Sequence, residues 1–388
     1  MPLLGSEKQK FLGINLGSSS IKVTELTSDK GSPCLVTYGF TEQAFDVIRD
    51  DSEETAKKTI ELLKKVCQSA KIQTSKCIAA LPTFSVFSSI ISLPQMSRRE
   101  VASAIQWEAK KIIPMPLEEM ILDWRLLNEE SLEKSLSLQF GKIKGRLKIK
   151  EEPLDKAKED DKKEAPGKDI KILITAAPKS LVKKYMEIFA AAGLDLISLE
   201  TEIFALIRSL LGNDPAVTMI VDLGAVTTNI SIVEKGIPLI NRSIDVGGKS
   251  MTKAIADSLE ITFARAEQFK QDIGIGGGSV SETVPATIES AIAPIIDEVK
   301  YSLNFYQNQS FSLEEKVDEE KKVEKIILTG GSSLLLNLAD YFVKTVGIKT
   351  YLGDPWAMIS YPEELKDVLG EIGPKLSVAI GLAMRDIE

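Results

Sequence analysis

The sequence predicts an α/β protein built from two similar halves. The first indication is an internal repeat, because the segment 11–26 recurs in altered form as 219–233. Each copy has the pattern of a buried strand, a short turn and a second alternating strand. The second indication is that strand and helix patterns follow one another along both halves of the chain. At 388 residues, the chain is long enough for two domains with separate cores.

Composition and charge narrow the possible functions. The chain is 44% hydrophobic and 27% charged, as in ordinary globular proteins, and its net charge of −8 argues against general nucleic-acid binding. It has no histidine, which excludes Ser-His-Asp triads, Cys-His nucleophiles and histidine metal sites. Cys34, Cys67 and Cys77 are isolated, so we expect reduced thiols in a cytoplasmic protein. No signal-peptide core or run of ~20 apolar residues is present, so we expect no membrane span.

Elements of both kinds are predicted in the first 127 residues. Three strands are expected within 11–40, with turns at Ser18–Ser20 and at Asp29–Pro33. Further along, the patterns predict a helix over 52–70, strands over 77–81 and 86–93, a helix over 97–113, and a strand over 121–127. Prolines set two of these boundaries, because Pro82 ends a strand and Pro114 ends a helix.

The segment 128–169 has a different character. Apolar and polar residues alternate from Leu136 to Phe140, and after Gly141 the polar positions are occupied by lysine and arginine. This pattern predicts a hairpin with one cationic face, which protects an exposed sheet edge or contacts an anionic membrane or an acidic partner. The stretch 151–168 is highly charged and almost free of large apolar residues, so we expect a mobile loop.

The rest of the chain again combines strands and helices. Strands are predicted over 170–177 and 195–201, and helices over 180–193 and 202–211; the linker 212–215 then marks the main domain boundary. In the second half the predicted elements are strands over 217–223, 227–234, 237–244 and 325–329, and helices over 249–259, 264–271 and 284–309, from Leu334 and from about Pro374.

The repeated turns are the main candidates for ligand binding. In register, Asn15 corresponds to Asp222, Gly17 to Gly224 and Ser20 to Thr227. Turns of glycine and hydroxyl residues offer a phosphate close backbone approach, N–H donors and hydroxyl hydrogens. We therefore expect a triphosphate held by two groups of residues, which are Gly17, Ser18, Ser19 and Ser20 in the first turn, and Gly224, Thr227 and Thr228 in the second.

Two charged residues complete this hypothesis. Lys22 follows the first turn and would direct its ammonium group at the phosphates. Asp222 would bind Mg²⁺ through water, since this ion prefers carboxylates and keeps most of its hydration. The alternative is that both turns are merely tight hairpins and that Lys22 is a solvated strand residue. Two turns in register, one in each half, favour the phosphate site.

Two weaker signals point to the rest of a nucleotide. Gly330, Gly331 and Ser332 lie between a predicted strand and a predicted helix, where a flat ring could lie against glycine and the helix dipole would favour an anion. The alternative is an ordinary strand-to-helix turn. Glu267 and Lys270 share a helix face and could form only an exposed ion pair.

These motifs together resemble the actin-like ATPase superfamily, and within it the family of the type IV pilus assembly protein PilM. The superfamily resemblance rests on the phosphate motifs at Asn15–Lys22 and Asp222–Thr228, the adenosine motif at Gly330–Ser332, and a pair similar to the ribose-contacting Glu-x-x-Lys. The closer match rests on Leu93-Pro94, Ile105-Gln-Trp-Glu108, Ile113-Pro114, Leu122-Asp123-Trp124, Ala177-Pro178-Lys179 and Glu202-Ile-Phe-Ala-Leu206.

The resemblance implies an actin-like, ribonuclease H-like fold of two domains with a small inserted α+β subdomain. The first domain would comprise 1–82 and 178–213, with an insert at 83–177 that contains a mobile charged loop at about 150–169. The second would comprise 214–248 and 324–388, with its last helix returning to the first domain, and a helical subdomain at 249–323.

In function, the resemblance implies an ATP-binding cytoplasmic adaptor at the inner face of the cytoplasmic membrane. It would dock the cytoplasmic N-terminal tail of the inner-membrane protein PilN in a groove between the first domain and the insert, with 86–93 and 100–113 as candidate walls. Asn15 departs from the Asp that is usual in the superfamily, which argues against rapid hydrolysis. The alternatives are a catalytic ATPase or small-molecule kinase, and an FtsA-like filament protein, against which the lack of an amphipathic C-terminal tail counts.

Overall fold

The described part of the chain forms three β-sheets and the helices that cover them. The computed structural model describes residues 9–42, 45–46, 48–96, 98–127, 169–275, 283–308 and 322–387. The predicted cationic hairpin and charged loop at 128–168 therefore lie outside the described residues, as do most of the glycine-rich loop after Gly274 and of the charged turn after the long helix.

The described strands and helices follow the predicted order. The strands are β1 (Lys10–Leu16), β2 (Ile21–Asp29), β3 (Ser32–Thr41), β4 (Lys76–Leu81), β5 (Phe87–Leu93), β6 (Met120–Leu126), β7 (Ile170–Pro178), β8 (Asp195–Thr201), β9 (Thr218–Leu223), β10 (Thr228–Glu234), β11 (Ile237–Ile244), β12 (Lys325–Thr329) and β13 (Thr350–Leu352). The helices are α1 (Glu53–Ser69), α2 (Arg98–Ile112), α3 (Lys179–Ala191), α4 (Glu202–Leu206), α5 (Gly248–Leu259), α6 (Phe263–Ile273), α7 (Thr283–Asn308), α8 (Leu338–Val346) and α9 (Lys366–Met384).

The two large sheets have the same topology. One has the strand order β3-β2-β1-β4-β8 and the other β11-β10-β9-β12-β13. In each, three antiparallel strands are extended by two parallel ones, and the first strand of the repeated hairpin lies at the centre. The two copies of the sequence repeat therefore occupy equivalent positions in two equivalent sheets.

A third, smaller sheet has the order β5-β7-β6 and lies within the segment predicted as an insert. Its core is formed with α2, where Val101, Ile105 and Ala109 pack against Ile172 and Ile174 of β7. The insert thus has an apolar core of its own, and β5 is one edge of its sheet.

Three local predictions differ from the structure. The last helix begins at Lys366 rather than near Pro374, because Leu369 is buried and its carbonyl accepts the indole N–H of Trp356. The helix expected from Leu334 is a 3₁₀ turn, Gly331–Leu334, and α8 starts only after Asn337, whose φ of 63° interrupts a helix. Strand β13 was not predicted.

A core shared by the two halves lies around α4 and α9. Ile203 and Ile207 pack in one apolar cluster with Ile220 of β9 and Leu382 of α9. Helix α9 approaches the first sheet so closely that a Cβ at Gly13 of β1 would overlap the backbone of Ala379. On another face of the helix, a Cβ at Gly381 would overlap the carbonyl oxygen of Ala205 in α4.

Membrane insertion finds no support in the described ranges. None of the helices there combines the length and the apolar character that crossing a membrane requires.

The first prediction concerns the packing of α9. Gly381→Ala should lower the free energy of unfolding by about 1–3 kcal/mol, because the methyl group would overlap backbone, which cannot move as a side chain can. Gly370→Ala in the same helix is the matched control, since nothing lies within 4 Å of its Cβ position, and should raise stability by up to about 1 kcal/mol. Urea unfolding measures both, and equal effects would contradict the packing described.

Candidate functional site

The two repeated turns have the same backbone geometry. The amide of Gly17 donates to the carbonyl of Ser20 over 2.9 Å, and the amide of Gly224 donates to the carbonyl of Thr227 over 2.9 Å. Strand pairing on either side also matches, since Asn15 pairs with Lys22 and Asp222 pairs with Asn229.

The middle amides of both turns are available as donors. No described residue accepts a hydrogen bond from the backbone N–H groups of Ser18, Ser19, Ala225 or Val226. The side chain of Thr228 is different, because it is fully buried and its hydroxyl donates to the carbonyl of Val246 over 2.7 Å. A ligand at the second turn would therefore contact the backbone and Thr227 rather than the hydroxyl of Thr228.

Charged side chains from both halves meet beside these turns. The ammonium of Lys22 lies 3.5 Å from where a Cβ would stand on Gly17. Desolvation by burial lowers the pKa of Lys22, the charges of Asp222 and Glu202 raise it, and the nearby ammonium of Lys375 lowers it further. A cation that loses solvation beside carboxylates and near available N–H donors is suited to an anionic ligand.

Asp222 is held by its neighbours from both sides. Desolvation raises its pKa, while the charge of Lys22 and the amide of Asn229 lower it. Asn229 is itself oriented by the hydroxyl of Ser243, which donates to the amide oxygen over 2.6 Å. On the other side lies Gly330, where a Cβ would overlap the carboxylate of Asp222, so only glycine fits beside it. The φ of 85° at Gly330 favours glycine for a second reason.

Asn15 connects the first turn to a buried carboxylate. Its side-chain amide donates to Glu202, and its oxygen Oδ1 is buried without a partner in the described part of the chain. A buried amide oxygen without a partner is costly, and a water bound to a cation would satisfy it. This is the observation that fits Mg²⁺ to the cleft, because the ion binds through its water shell to few protein oxygens.

No closed metal site accompanies this arrangement. Among the described residues, no group of three or more thiol or carboxylate side chains is placed to hold a metal ion. A Mg²⁺ ion at Asp222 would therefore take its remaining oxygens from water and from the ligand.

The candidate adenosine turn adjoins the second phosphate turn. The hydroxyl of Ser332 donates to the carbonyl of Gly224 over 2.9 Å, and the same carbonyl accepts the amide of Gly248 over 3.0 Å. Gly331 is exposed, and only the side chain of Lys375 lies within 4 Å of its Cβ position. Because α8 begins at Leu338, the helix dipole expected beside Ser332 is absent, and that part of the prediction is wrong.

Glu267 and Lys270 form more than a surface ion pair. Lys270 is only 8% exposed, and its ammonium donates to Glu267 over 2.8 Å, to Thr252 over 2.9 Å and to the carbonyl of Gly248 over 3.3 Å. Burial raises the pKa of Glu267, but hydrogen bonds from Lys270 and Thr252 outweigh it and lower that pKa. The pair thus ties α6 to the start of α5, directly behind the second turn.

Comparison with known proteins decides the family. The family model described as type IV pilus assembly protein PilM matches residues 13–138 and 149–387. The chain belongs to this family. It is therefore a type IV pilus assembly protein, as the sequence resemblance predicted.

Solved structures show the same fold. The chain is similar to the "PilM-PilN type IV pilus biogenesis complex", with 24% identity and a TM-score of 0.75 over 98% of this chain and 100% of that one. It is also similar to the ethanolamine utilization protein EutJ from Carboxydothermus hydrogenoformans, with 15% identity and a TM-score of 0.54 over 98% and 90% of the two chains. The predicted actin-like two-domain α/β fold is confirmed.

The structure adds Glu202 and Lys375 to the candidate site. Glu202 is the first residue of α4, directly after β8, and it is buried. Burial, and after it the charge of Asp222, raises the pKa of Glu202 to about 7. Three groups act in the opposite direction and lower this pKa: the amide of Thr83, the charge of Lys22 and the amide of Asn15. In the sequence, Glu202 stands out only as part of the motif that carries the family resemblance, although an acidic residue at a strand-to-helix junction is a usable signal. The sequence carries no comparable signal for Lys375, because its position beside the turns depends on how α9 packs.

The second prediction concerns the ionisation of Glu202. The pKa of Glu202 is raised in the folded protein, so the unfolded chain loses this proton at lower pH than the folded one. The free energy of unfolding therefore falls as pH rises from about 4.5 to about 7. Glu202→Gln keeps an acceptor for Thr83, so it should stabilise the chain by about 1–3 kcal/mol at pH 8, and by clearly less at pH 5. Urea unfolding at the two pH values measures this, with the exposed Glu61→Gln in α1 as control. The same effect at both pH values would show that Glu202 ionises without cost.

Proposed function

We propose that this PilM family member binds Mg-ATP in the cleft between its two halves and acts as an adaptor in the type IV pilus assembly platform. The observation that carries the nucleotide proposal is the pair of equivalent turns. Each is closed by a 2.9 Å hydrogen bond, and the middle N–H groups of each have no acceptor within the described ranges. A triphosphate needs donors from two sides, and the cleft offers one set from each sheet.

Each part of the nucleotide has a proposed set of contacts. The turns Gly17–Ser20 and Gly224–Thr227 would hold the phosphates through backbone N–H groups and hydroxyls, with Lys22 neutralising part of their charge. Asp222 and Asn15 would orient waters of Mg²⁺. The adenine would lie against Gly331, and Glu267 with Lys270 would contact the ribose.

Charge balance supports a magnesium complex rather than free ATP. Lys22 and Lys375 supply two positive charges near the turns, and Asp222 and Glu202 supply up to two negative ones. A triphosphate placed in this cleft would leave a net negative charge there, and bound Mg²⁺ reduces it.

Hydrolysis, where it occurs, would depend on Glu202. A buried carboxyl group with a pKa of about 7 beside the proposed phosphate site is suited to accept a proton from water. This favours an ATPase as a second candidate function, for which the sequence pattern alone singles out no catalytic base. The neutral Asn15 brings no charge to the metal, so we expect turnover far below the ordinary ~10 per second.

The third prediction concerns nucleotide affinity. Lys22→Ala and Asp222→Ala should each weaken Mg-ATP binding at least about tenfold, because each removes a charge from the phosphate or metal site. Gly331→Val should block adenine, while the open space around its Cβ position leaves the fold intact. Titration with a fluorescent ATP analogue measures these changes, and Lys10→Ala, at the far end of the same hairpin, is the control. Parental affinity in all three variants would refute the site.

The second half of the proposal is the docking of PilN. One solved structure similar to this chain is described as a PilM-PilN complex, which suggests the partner. We propose that the cytoplasmic N-terminal tail of PilN occupies a groove beside β5 and α2, which would hold the protein at the inner face of the cytoplasmic membrane. Two features support this location: β5 is an edge strand, and Trp107 on α2 is 66% exposed. Edge strands accept extended peptides through their backbone, and exposed aromatic residues often anchor partners.

The fourth prediction tests this partner. A synthetic peptide of the PilN tail should bind the Mg-ATP-loaded protein in isothermal titration calorimetry, and Trp107→Ala should weaken it by about threefold or more. Tyr351→Ala, an exposed aromatic residue on β13 of the other half, should leave the affinity unchanged. No binding at peptide concentrations up to millimolar would exclude the docking of PilN.

The filament alternative is not favoured. Family membership points to pilus assembly. Two measurements on the ATP-loaded protein, its turnover rate and its sedimentation, distinguish the adaptor, the catalytic ATPase and the filament protein. Rapid turnover would favour the catalytic ATPase, and sedimenting polymers would favour the filament.

A further inference from the structure

We propose that the short turn Thr83–Ser85, which joins the first sheet to the insert, transmits the state of the nucleotide cleft to the insert. We call it the junction turn. This inference rests on the proposed function, because it concerns how the ATP site and the PilN groove influence one another.

The junction turn is a rigid connection between two sheets. It follows β4 of the first sheet through Pro82 and leads through Val86 into β5 of the insert sheet. The amide and the hydroxyl of Ser85 both donate to the carbonyl of Pro82, over 3.0 and 2.7 Å, and the amide of Val86 donates to Thr83 over 3.3 Å. A displacement of this turn therefore moves the start of β5.

One side of the junction turn is bound to the cleft. The amide of Thr83 donates to the carboxyl group of Glu202 over 3.2 Å, and both residues are buried. Glu202 in turn accepts a hydrogen bond from the side-chain amide of Asn15, and the charges of Lys22 and Asp222 shift its pKa. Phosphate and metal ion arriving among these groups would change the field on Glu202 and hence the strength of its bond to Thr83.

The other side of the junction turn is bound to the second half of the chain. The guanidinium of Arg49 lies over the ring of Phe84, 5.6 Å from its centroid, and also forms an ion pair with Asp245. Asp46 fixes the Arg49 segment, because its carboxylate accepts the amides of Ile48 and Arg49 over 3.1 Å each.

Asp245 belongs to the segment that supports the second phosphate turn. It follows β11 and is adjacent to Val246, whose carbonyl accepts the hydroxyl of Thr228. Three residues after Asp245 comes Gly248, whose amide donates to the carbonyl of Gly224. Strand β11 itself lies against the junction turn and β5. A rotation of one half relative to the other would therefore displace Arg49, and with it Phe84, and would also displace Glu202.

These contacts make the turn a two-sided link. Cleft closure around a nucleotide brings the Asp245 segment and the Arg49 segment together and holds Phe84 and Thr83 in the position described. An open cleft separates Arg49 from Asp245, and β5 loses that support. The tail would bind best to one of these arrangements, so ATP would change tail affinity and the tail would change ATP affinity by the same factor.

The experiment measures that factor and then interrupts the link. Calorimetry gives the affinity for the PilN tail peptide with and without a saturating, non-hydrolysable Mg-ATP analogue; we expect a ratio of about tenfold in the parent. Asp245→Ala should reduce the ratio by up to about fivefold, because the ion pair with Arg49 is largely exposed and such pairs are weak. Each ligand alone should bind within about threefold of the parent.

A second pair of variants tests the Glu202 side. Thr83→Pro removes the backbone N–H that donates to Glu202, together with the threonine side chain, and the ψ of 139° at Pro82 suits a following proline. Thr83→Ala keeps that amide and changes only the side chain. We expect the proline variant to lose the coupling and the alanine variant to retain it. Lys57→Ala, which removes an exposed ion pair with Glu53 inside α1, is the control for the loss of a surface charge.

The outcomes separate the two levels of the hypothesis. Failure of the parent to bind either the ATP analogue or the tail overturns the proposed function together with this inference. Binding of both ligands with a ratio near one overturns the inference alone. The inference alone is also overturned if the tenfold ratio of tail affinities, with and without the ATP analogue, persists in both Asp245→Ala and Thr83→Pro.

Discussion

The close approach of α9 to the first sheet and to α4 is the constraint on which the arrangement of the two halves depends. At Gly13 and at Gly381, backbone lies against backbone with no room for a single methyl group. The same helix reaches the other half, because the carbonyl of Pro374 accepts the amide of Gly330 over 3.0 Å and the hydroxyl of Thr329 over 3.2 Å. One helix thus holds the first hairpin and the candidate adenosine turn in a common frame.

This frame explains why charged groups from distant parts of the chain share one cleft. Lys22 comes from the first sheet, Asp222 from the second, Glu202 from the helix between them and Lys375 from α9. Burying such groups together is costly, and the mutual attraction of opposite charges only partly offsets desolvation. The opposed pKa shifts of Lys22 and Glu202 reflect this cost. A site maintained at the expense of stability is typical of ligand binding.

Family membership and residue roles rest on different observations. The family is established by a match over nearly the whole chain, and the fold by solved structures of the same architecture. The proposed roles of individual residues rest on local geometry: the backbone N–H groups of Ser18 and Ser19 and the Oδ1 atom of Asn15 have no hydrogen-bond partner among the described residues. This geometry is the basis for proposing a phosphate and a hydrated cation, since backbone N–H groups suit the former and amide or carboxylate oxygens suit the latter.

The sequence by itself determined the described strands other than β13, most helices, and the repeated hairpin with its register, because these follow from hydrophobic period and turn chemistry within a few residues. It could not place the start of α9, since Gly370, Gly373 and Pro374 weaken the local helix signal and the burial of Leu369 decides the boundary. Likewise, Glu202, Lys375 and the bond from Glu202 to Thr83 became visible only in the tertiary structure. These residues lie far apart along the chain, and only the packing of α4 and α9 between the two sheets brings them to the same cleft.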